Sequence, residues 1–131
     1  HHVHFVGRLG EEDKVALLQL CTAILFPSHL RSEAFGISLL EGAMYGKPMI
    51  SSEIGTGTSY INIHNETGLV VPPSDPLAFR AAMRTLWDNP LQALAMGQKA
   101  ALRYEQLFTA EQMGRQMAKI YREVVAEKSV R

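Results

Sequence analysis

Apolar positions recur along this chain in short blocks whose spacing alternates between the period of a strand and that of a helix. Val3-His4-Phe5-Val6 alternates and stops at Gly7, which predicts a short strand feeding a tight turn. Behind the acidic Glu11-Glu12-Asp13, suited to a helix amino terminus, Val15, Leu17, Leu18, Leu20 and Cys21 mark an amphipathic helix. Ala23-Ile24-Leu25-Phe26, closed by Pro27-Ser28, has the unbroken apolar character of a buried parallel strand. A polar stretch to Ala34 and then Phe35-Gly36 lead into a second helix carrying Ile37, Leu40, Glu41, Met44 and Tyr45 and ending at Gly46. Pro48-Met49-Ile50-Ser51 restarts an extended run, and Gly55-Thr56-Gly57-Thr58 predicts a flexible polar loop at its carboxyl end.

The second half is simpler. Asn65-Glu66-Thr67-Gly68 predicts a turn, Leu69-Val70-Val71 a strand, and Pro72 to Pro76 a rigid helix entry with Asp75 as cap and Pro76 at the first helical position. Helical periodicity then continues through Leu77 to Trp87, Leu91 to about Leu107, and Thr109 or Ala110 to about Ala126. Strands alternating with helices predict an α/β fold, a parallel sheet with helices on both faces and ligands beyond the carboxyl ends of the strands. Four short strands are fewer than such sheets usually hold, so amino-terminal strands are expected outside this chain.

With 131 residues, 47% hydrophobic and 20% charged, the chain has the composition of one globular domain with a real core. Lys plus Arg and Asp plus Glu both number 13, so no net positive field draws nucleic acid or an anionic membrane, and any polyanion must be caught locally. The lone Cys21 rules out an intrachain disulfide and agrees with a reducing, cytoplasmic setting. No run of apolar residues is long enough to span a membrane, and no secretory leader is visible. His1-His2 reads equally as the stub of a purification tag or as native sequence.

The informative stretch runs from Pro27 to Pro48. Glu33 stands just before the second helix and Glu41 stands within it, so both carboxylates are able to face one crevice at different depths. Between them lies the helix amino terminus. The backbone N–H groups of Phe35, Gly36, Ile37 and Ser38 suit a phosphate there, and Gly36 permits close approach. Two carboxylates beside a bound anion make sense as acceptors for hydroxyls, as on a ribose and a sugar, which points to a sugar nucleotide. The spacing alone is equally met by a solvated loop glutamate and an ordinary charge on a helix face.

The flanks tip that balance. Pro27-Ser28, Glu33, Phe35-Gly36, Leu39-Leu40-Glu41 and Gly46-Lys47-Pro48 together resemble the donor-site signature of the family 4, or group 1, retaining glycosyltransferases of GT-B architecture. The likeness extends from Val3-His4-Phe5-Val6-Gly7 through Thr67-Gly68-Leu69-Val70-Val71-Pro72-Pro73 to the last helices. It implies a Rossmann-like sheet, with residues 1–131 forming the C-terminal portion of a nucleotide-sugar-binding domain and the acceptor domain absent. In such an enzyme Glu33 contacts the donor sugar near the reacting centre, Glu41 holds the ribose, and the backbone of Phe35 to Ser38 cradles the diphosphate. Gly7-Arg8-Leu9 would border the base.

Two departures stand out. The family's diphosphate-neutralising Arg/Lys pair is imitated by Arg8 and Lys14, but the strand reaching Pro27-Ser28 follows too soon, so the pair is read as absent. Where relatives often carry Gly-Gly and then Glu, this chain has Gly55-Thr56-Gly57-Thr58-Ser59, a variant that resembles bacterial O-antigen mannosyl- and rhamnosyltransferases. The resemblance thus implies a retaining hexosyltransferase using a GDP- or UDP-sugar, mannose-type favoured, in polysaccharide or lipopolysaccharide synthesis. Its acceptor would be a glycan or lipid-linked glycan, its site cytoplasmic or peripheral at the inner membrane face. With no Asp-x-Asp and no His/Asp cluster, no metal is expected to be needed. The fragment alone is expected to be inactive. A non-catalytic nucleotide-sugar-binding module, or another GT-B enzyme such as an epimerase or glycogen synthase, fits the same motifs.

Other residues admit plainer readings. Arg31, counted with the donor-binding residues, suits a phosphate or the acceptor, and equally a pairing with a nearby surface acid. His29 and His64 lack partners at metal-ligand spacing and read as surface or core residues. Lys47 suits a helix carboxyl terminus. Cys21 reads as a small core residue, and Tyr104, Phe108, Met113, Met117 and Tyr121 as helix packing; the resemblance to GT-B proteins, whose last helix returns to the other domain, implies that part of that helix's face is open here.

Overall fold

Three short strands pair side by side in chain order, all parallel, in the computed structural model of the protein, which describes residues 3–129. They are β1 (Ile24–Phe26), β2 (Met49–Ser52) and β3 (Gly68–Val71). The helices are α1 (Glu11–Leu20), α2 (Ile37–Met44), α3 (Thr58–Ile61), α4 (Pro76–Asp88), α5 (Pro90–Leu107) and α6 (Ala110–Ser129). β2 is central and buried along its whole length. Successive strand residues point to opposite faces, so Met49 joins Leu39, Ala43, Ile61 and Ala100 on one side of the sheet. Ile50 joins Leu69, Val71, Ala82, Leu86, Ala93 and Met96 on the other. Helices therefore cover both faces, as the alternation of periods predicts.

Local signals set most boundaries. Asp75 caps α4 by accepting from the Ala78 N–H at 2.9 Å, with Pro76 opening the helix. A turn after Ile63 carries Asn65 at φ 62° into β3.

Several expectations are corrected. Val3 to Val6 form no strand: Phe5 is 98% exposed, because none of the three described strands pairs with this segment, and an alternating pattern without a ladder partner leaves its backbone to water. The described sheet has three strands, not four. β1 is parallel but not buried. It lies at a sheet edge, and Leu25 is exposed on a groove lined by Met83 and Trp87. The loop expected over Gly55 to Thr58 is cut short by α3, where Thr58 is fully buried. α1 forms as expected but buries none of its apolar residues completely. Tyr104 and Phe108 pack on the core, whereas Met113, Met117 and Tyr121 on α6 are exposed. His1 and His2 lie outside the described residues.

One buried polar knot joins three elements. Asn62, 0% exposed, donates from Nδ2 to Ser51 Oγ at 2.9 Å and to the Leu69 carbonyl at 3.2 Å. Its Oδ1 accepts from Thr67 Oγ1 at 3.0 Å, and Thr67 Oγ1 in turn accepts from the Ile63 N–H at 2.8 Å. β2 and the amino-terminal end of β3 are thereby tied to the end of α3.

Candidate functional site

The carboxyl ends of β1 and β2 each open into a loop, and the two loops lean on each other. The Gly57 N–H donates to the Ala34 carbonyl at 2.9 Å. The Arg31 guanidinium lies 3.4 Å from where a Cβ on Gly55 would stand, so Arg31 spans from the first loop to the second. Glu53 shapes the second loop by accepting from the Gly55 N–H at 3.0 Å and the Ser59 hydroxyl at 2.7 Å.

α2 starts at this junction. Gly36 is its N-cap with φ 89° and ψ 66°, a left-handed conformation that residues with a Cβ rarely adopt. A Cβ there would also stand 3.1 Å from Leu39 Cδ1 and 3.3 Å from Thr58 Cγ2, so α3 closes on the back of the helix start. Behind it, Phe35 meets Phe108 edge-on at 6.4 Å, Phe108 meets Tyr60 at 5.6 Å, and Arg103 donates to the Tyr60 carbonyl at 2.6 and 3.2 Å. The helix start is thus braced from α3 and α5.

Glycine has no side chain to cap a helix and α2 has no side-chain cap, but Glu33 binds the turn that leads into it. Its Oε1 accepts from the Gly36 N–H at 3.1 Å and, more weakly, the Phe35 N–H at 3.4 Å. A carboxylate therefore already sits where the helix start favours an anion. Ile37 and Ser38, the first two residues of α2, are exposed, and a helix start leaves their N–H groups without an intrahelical acceptor. Glu33 also lines a cavity of about 250 Å³ with Ser28, His29, Leu30 and Ser32. A larger cleft of about 380 Å³ adjoins it at His29, but Pro27, Pro72, Pro76, Phe79 and Met83 make that one mainly apolar. Asp75 and Arg80 add charge to the larger cleft, but the Asp75 carboxylate is taken by the Ala78 N–H as the cap of α4, whereas the smaller cavity is lined by Glu33, bonded just ahead of α2.

Glu41 sits half-buried on α2, and its Oε1 accepts from Lys14 Nζ of α1 at 2.8 Å. Lys14 also meets Glu11 at 2.9 Å. The bond to Glu41 first, and that to Glu11 second, hold the Lys14 ammonium above the usual lysine range. Lys14 is the participant that sequence reasoning missed as a partner of this site. Its place in an imitation of the basic motif says nothing about which helix it faces. Glu41 is not among the residues lining the 250 Å³ cavity, so the two glutamates hold separate partners here.

The remaining candidates are placed plainly. Gly7, φ 65°, and Leu9 form no hydrogen bond to Glu33, Gly36 or Glu41 among the described residues. His64 Nδ1 accepts from the Val70 N–H at 2.9 Å and supports β3. Lys47 donates to the Gln19 carbonyl at 2.7 Å, so the helix end it serves is that of α1. Burial pushes the half-buried Cys21 thiol up from its ordinary value. No group of three or more His, Cys, Asp or Glu among the described residues is arranged to hold a metal ion.

Comparison with known proteins gives these residues a context. The sequence profile described as glycosyl transferases group 1 matches residues 1–103. D-rhamnosyltransferase WbpZ of Pseudomonas aeruginosa is 78% identical over 109 residues, which cover 83% of this chain and 29% of that protein. O-antigen chain mannosyltransferase C of Escherichia coli is 48% identical over 128 residues, 98% of this chain and 34% of that one. Among solved structures, sucrose-phosphate synthase from Thermosynechococcus elongatus superposes with a TM-score of 0.83 at 31% identity, over 95% of this chain and 30% of its own. This chain therefore spans about a third of the length of the relatives it matches.

Proposed function

The chain belongs to the group 1 glycosyl transferases, and from that premise we propose that it is the donor-binding part of a retaining, hexose-transferring enzyme of bacterial O-antigen or lipopolysaccharide synthesis. The donor is a GDP- or UDP-sugar of mannose configuration, and the acceptor a glycan or lipid-linked glycan. The names of the two relatives support this choice of sugar, since rhamnose is a 6-deoxy hexose of the mannose series. The remaining part of such an enzyme, an amino-terminal domain and strands outside this chain, would hold the acceptor, so the chain alone would not turn over. A cytoplasmic setting, with peripheral attachment to a membrane, belongs to the same reading. No helix among the described residues is long and apolar enough to cross a membrane.

The observation that carries the proposal is the start of α2, where the exposed residues Ile37 and Ser38 lie between Glu33, which accepts from the Gly36 N–H, and Glu41, which is paired with Lys14. The diphosphate would take the amides of Ile37 and Ser38 and share or inherit those of Phe35 and Gly36. Glu33, displaced or turned, would then reach the sugar, where charge changes most as the bond to the diphosphate breaks. Electrostatic stabilisation of the leaving diphosphate and positioning of the acceptor supply the rate, without assigning Glu33 a covalent intermediate.

Glu33→Gln tests this in the full-length protein. A glutamine Oε1 still accepts from the Gly36 N–H, so the fold is kept while the charge is lost. An interaction made chiefly in the transition state appears in kcat. The expected fall is about tenfold to a hundredfold, a loss of about 1.4–2.7 kcal/mol of transition-state stabilisation. A variant with raised donor KM and unchanged kcat would reduce Glu33 to a binding contact. Wild-type protein that binds donor but transfers nothing would be a binding module.

A further inference from the structure

We infer that Lys14 is a positioning residue of the donor site, holding one oxygen of Glu41 from the neighbouring helix so that the other is presented to the ribose hydroxyls. The inference rests on the proposed role of Glu41 and adds a residue from a different element.

The geometry makes the assignment. The backbone of α2 at Glu41 is fixed from below: Leu39 and Ala43 are buried, and a Cβ on the intervening Gly42 would stand 2.5 Å from Ile24 Cγ1, so the helix lies directly on β1. What stays free is the Glu41 side chain, whose three torsions make it costly to order on binding. Lys14 Nζ removes that freedom by taking Oε1 at 2.8 Å, in a pair whose side chains are 37% and 32% exposed. One ammonium on one oxygen leaves the second carboxylate oxygen and its lone pairs for a hydroxyl donor. A carboxylate already oriented binds at lower entropic cost. The second partner of Lys14, Glu11, is 85% exposed and sits one turn away on the same helix, so it steadies the lysine from the solvent side.

The test is a double-mutant cycle in the full-length protein, with GDP and UDP titrated by calorimetry, donor kinetics beside it and Tm as a check on folding. Lys14→Met is expected to weaken binding of the preferred nucleotide up to about fivefold, the upper end for a pair this exposed. It should raise donor KM and leave kcat in place, the opposite of Glu33→Gln. Lys14→Arg, which can still hold Oε1, should recover most of the loss. In a Glu41→Ala background, Lys14→Met should have no further effect. If Glu41→Ala weakens nucleotide binding but Lys14→Met does not, the inference is wrong and the donor reading of Glu41 stands. If Lys14→Met weakens binding equally in both backgrounds, Lys14 touches the nucleotide itself and the positioning role is overturned. If Glu41→Ala has no effect on nucleotide affinity, the assignment of Glu41 fails and the inference falls with it.

Discussion

Replacing Asn62 with alanine removes a group that is 0% exposed and serves β2, β3 and α3 at once. The amide nitrogen has two hydrogens, so of its three acceptors only Ser51 Oγ at 2.9 Å and the Leu69 carbonyl at 3.2 Å count fully, and the Met49 carbonyl at 3.4 Å does not. With the Thr67 hydroxyl given to Oδ1 at 3.0 Å, three hydrogen bonds disappear. At about 1 kcal/mol net each, and with buried partners left behind, the direct loss is about 3 kcal/mol. Thr67 can turn its hydroxyl to the Ile63 carbonyl, 3.5 Å away, which recovers a part. The cavity left by the amide works the other way, so the expected total is about 2–4 kcal/mol. Urea unfolding followed by circular dichroism should show a lower midpoint at unchanged slope. Asn62→Asp keeps the acceptor for Thr67 but loses both donors and buries a charge, so it should be at least as damaging. A loss below about 0.5 kcal/mol for both variants, the size of an ordinary surface change, would refute the claim that this knot holds β2 and β3 to the end of α3.

Other expectations follow from single positions. Gly36→Ala should destabilise the protein by about 1–2 kcal/mol, because φ 89° is costly with a Cβ, and should weaken nucleotide binding in parallel; unchanged Tm and affinity would mean the helix start relaxes freely. Asp75→Ala should cost about 1 kcal/mol of stability, read by thermal melting, through loss of the cap to Ala78. Transfer by the full-length enzyme is expected to survive chelation of divalent metal, since the amides of the α2 start are assigned the diphosphate charge; activity lost with chelator and restored by magnesium or manganese would contradict that.

Features carried by consecutive residues are legible in the sequence itself. Asp75-Pro76 announces a helix start because cap and first turn are neighbours in the chain. Glycine before Ile37 and glycine after Tyr45 bracket α2 because left-handed backbone is a local requirement, met at φ 89° for Gly36 and 66° for Gly46. The two glutamates, the helix start and the flanking Pro27-Ser28 and Gly46-Lys47-Pro48 are likewise one continuous stretch, which is why the residues alone suffice to name the family.

What stays hidden depends on partners that no period encodes. Val3 to Val6 alternates as a strand does, yet a strand exists only against a neighbour, and none of the described strands pairs with it. The same reason leaves Leu25 exposed on a strand that reads as buried. Lys14 and Glu41 are 27 positions apart and meet because α1 and α2 lie side by side. Asn62 and Ser51, 11 positions apart, meet inside the fold. Backbone conformation follows from a few adjacent side chains, whereas the setting of Glu41 and the tie of α3 to β2 and β3 are pairings in space, which arise only when the core brings distant segments within hydrogen-bond reach.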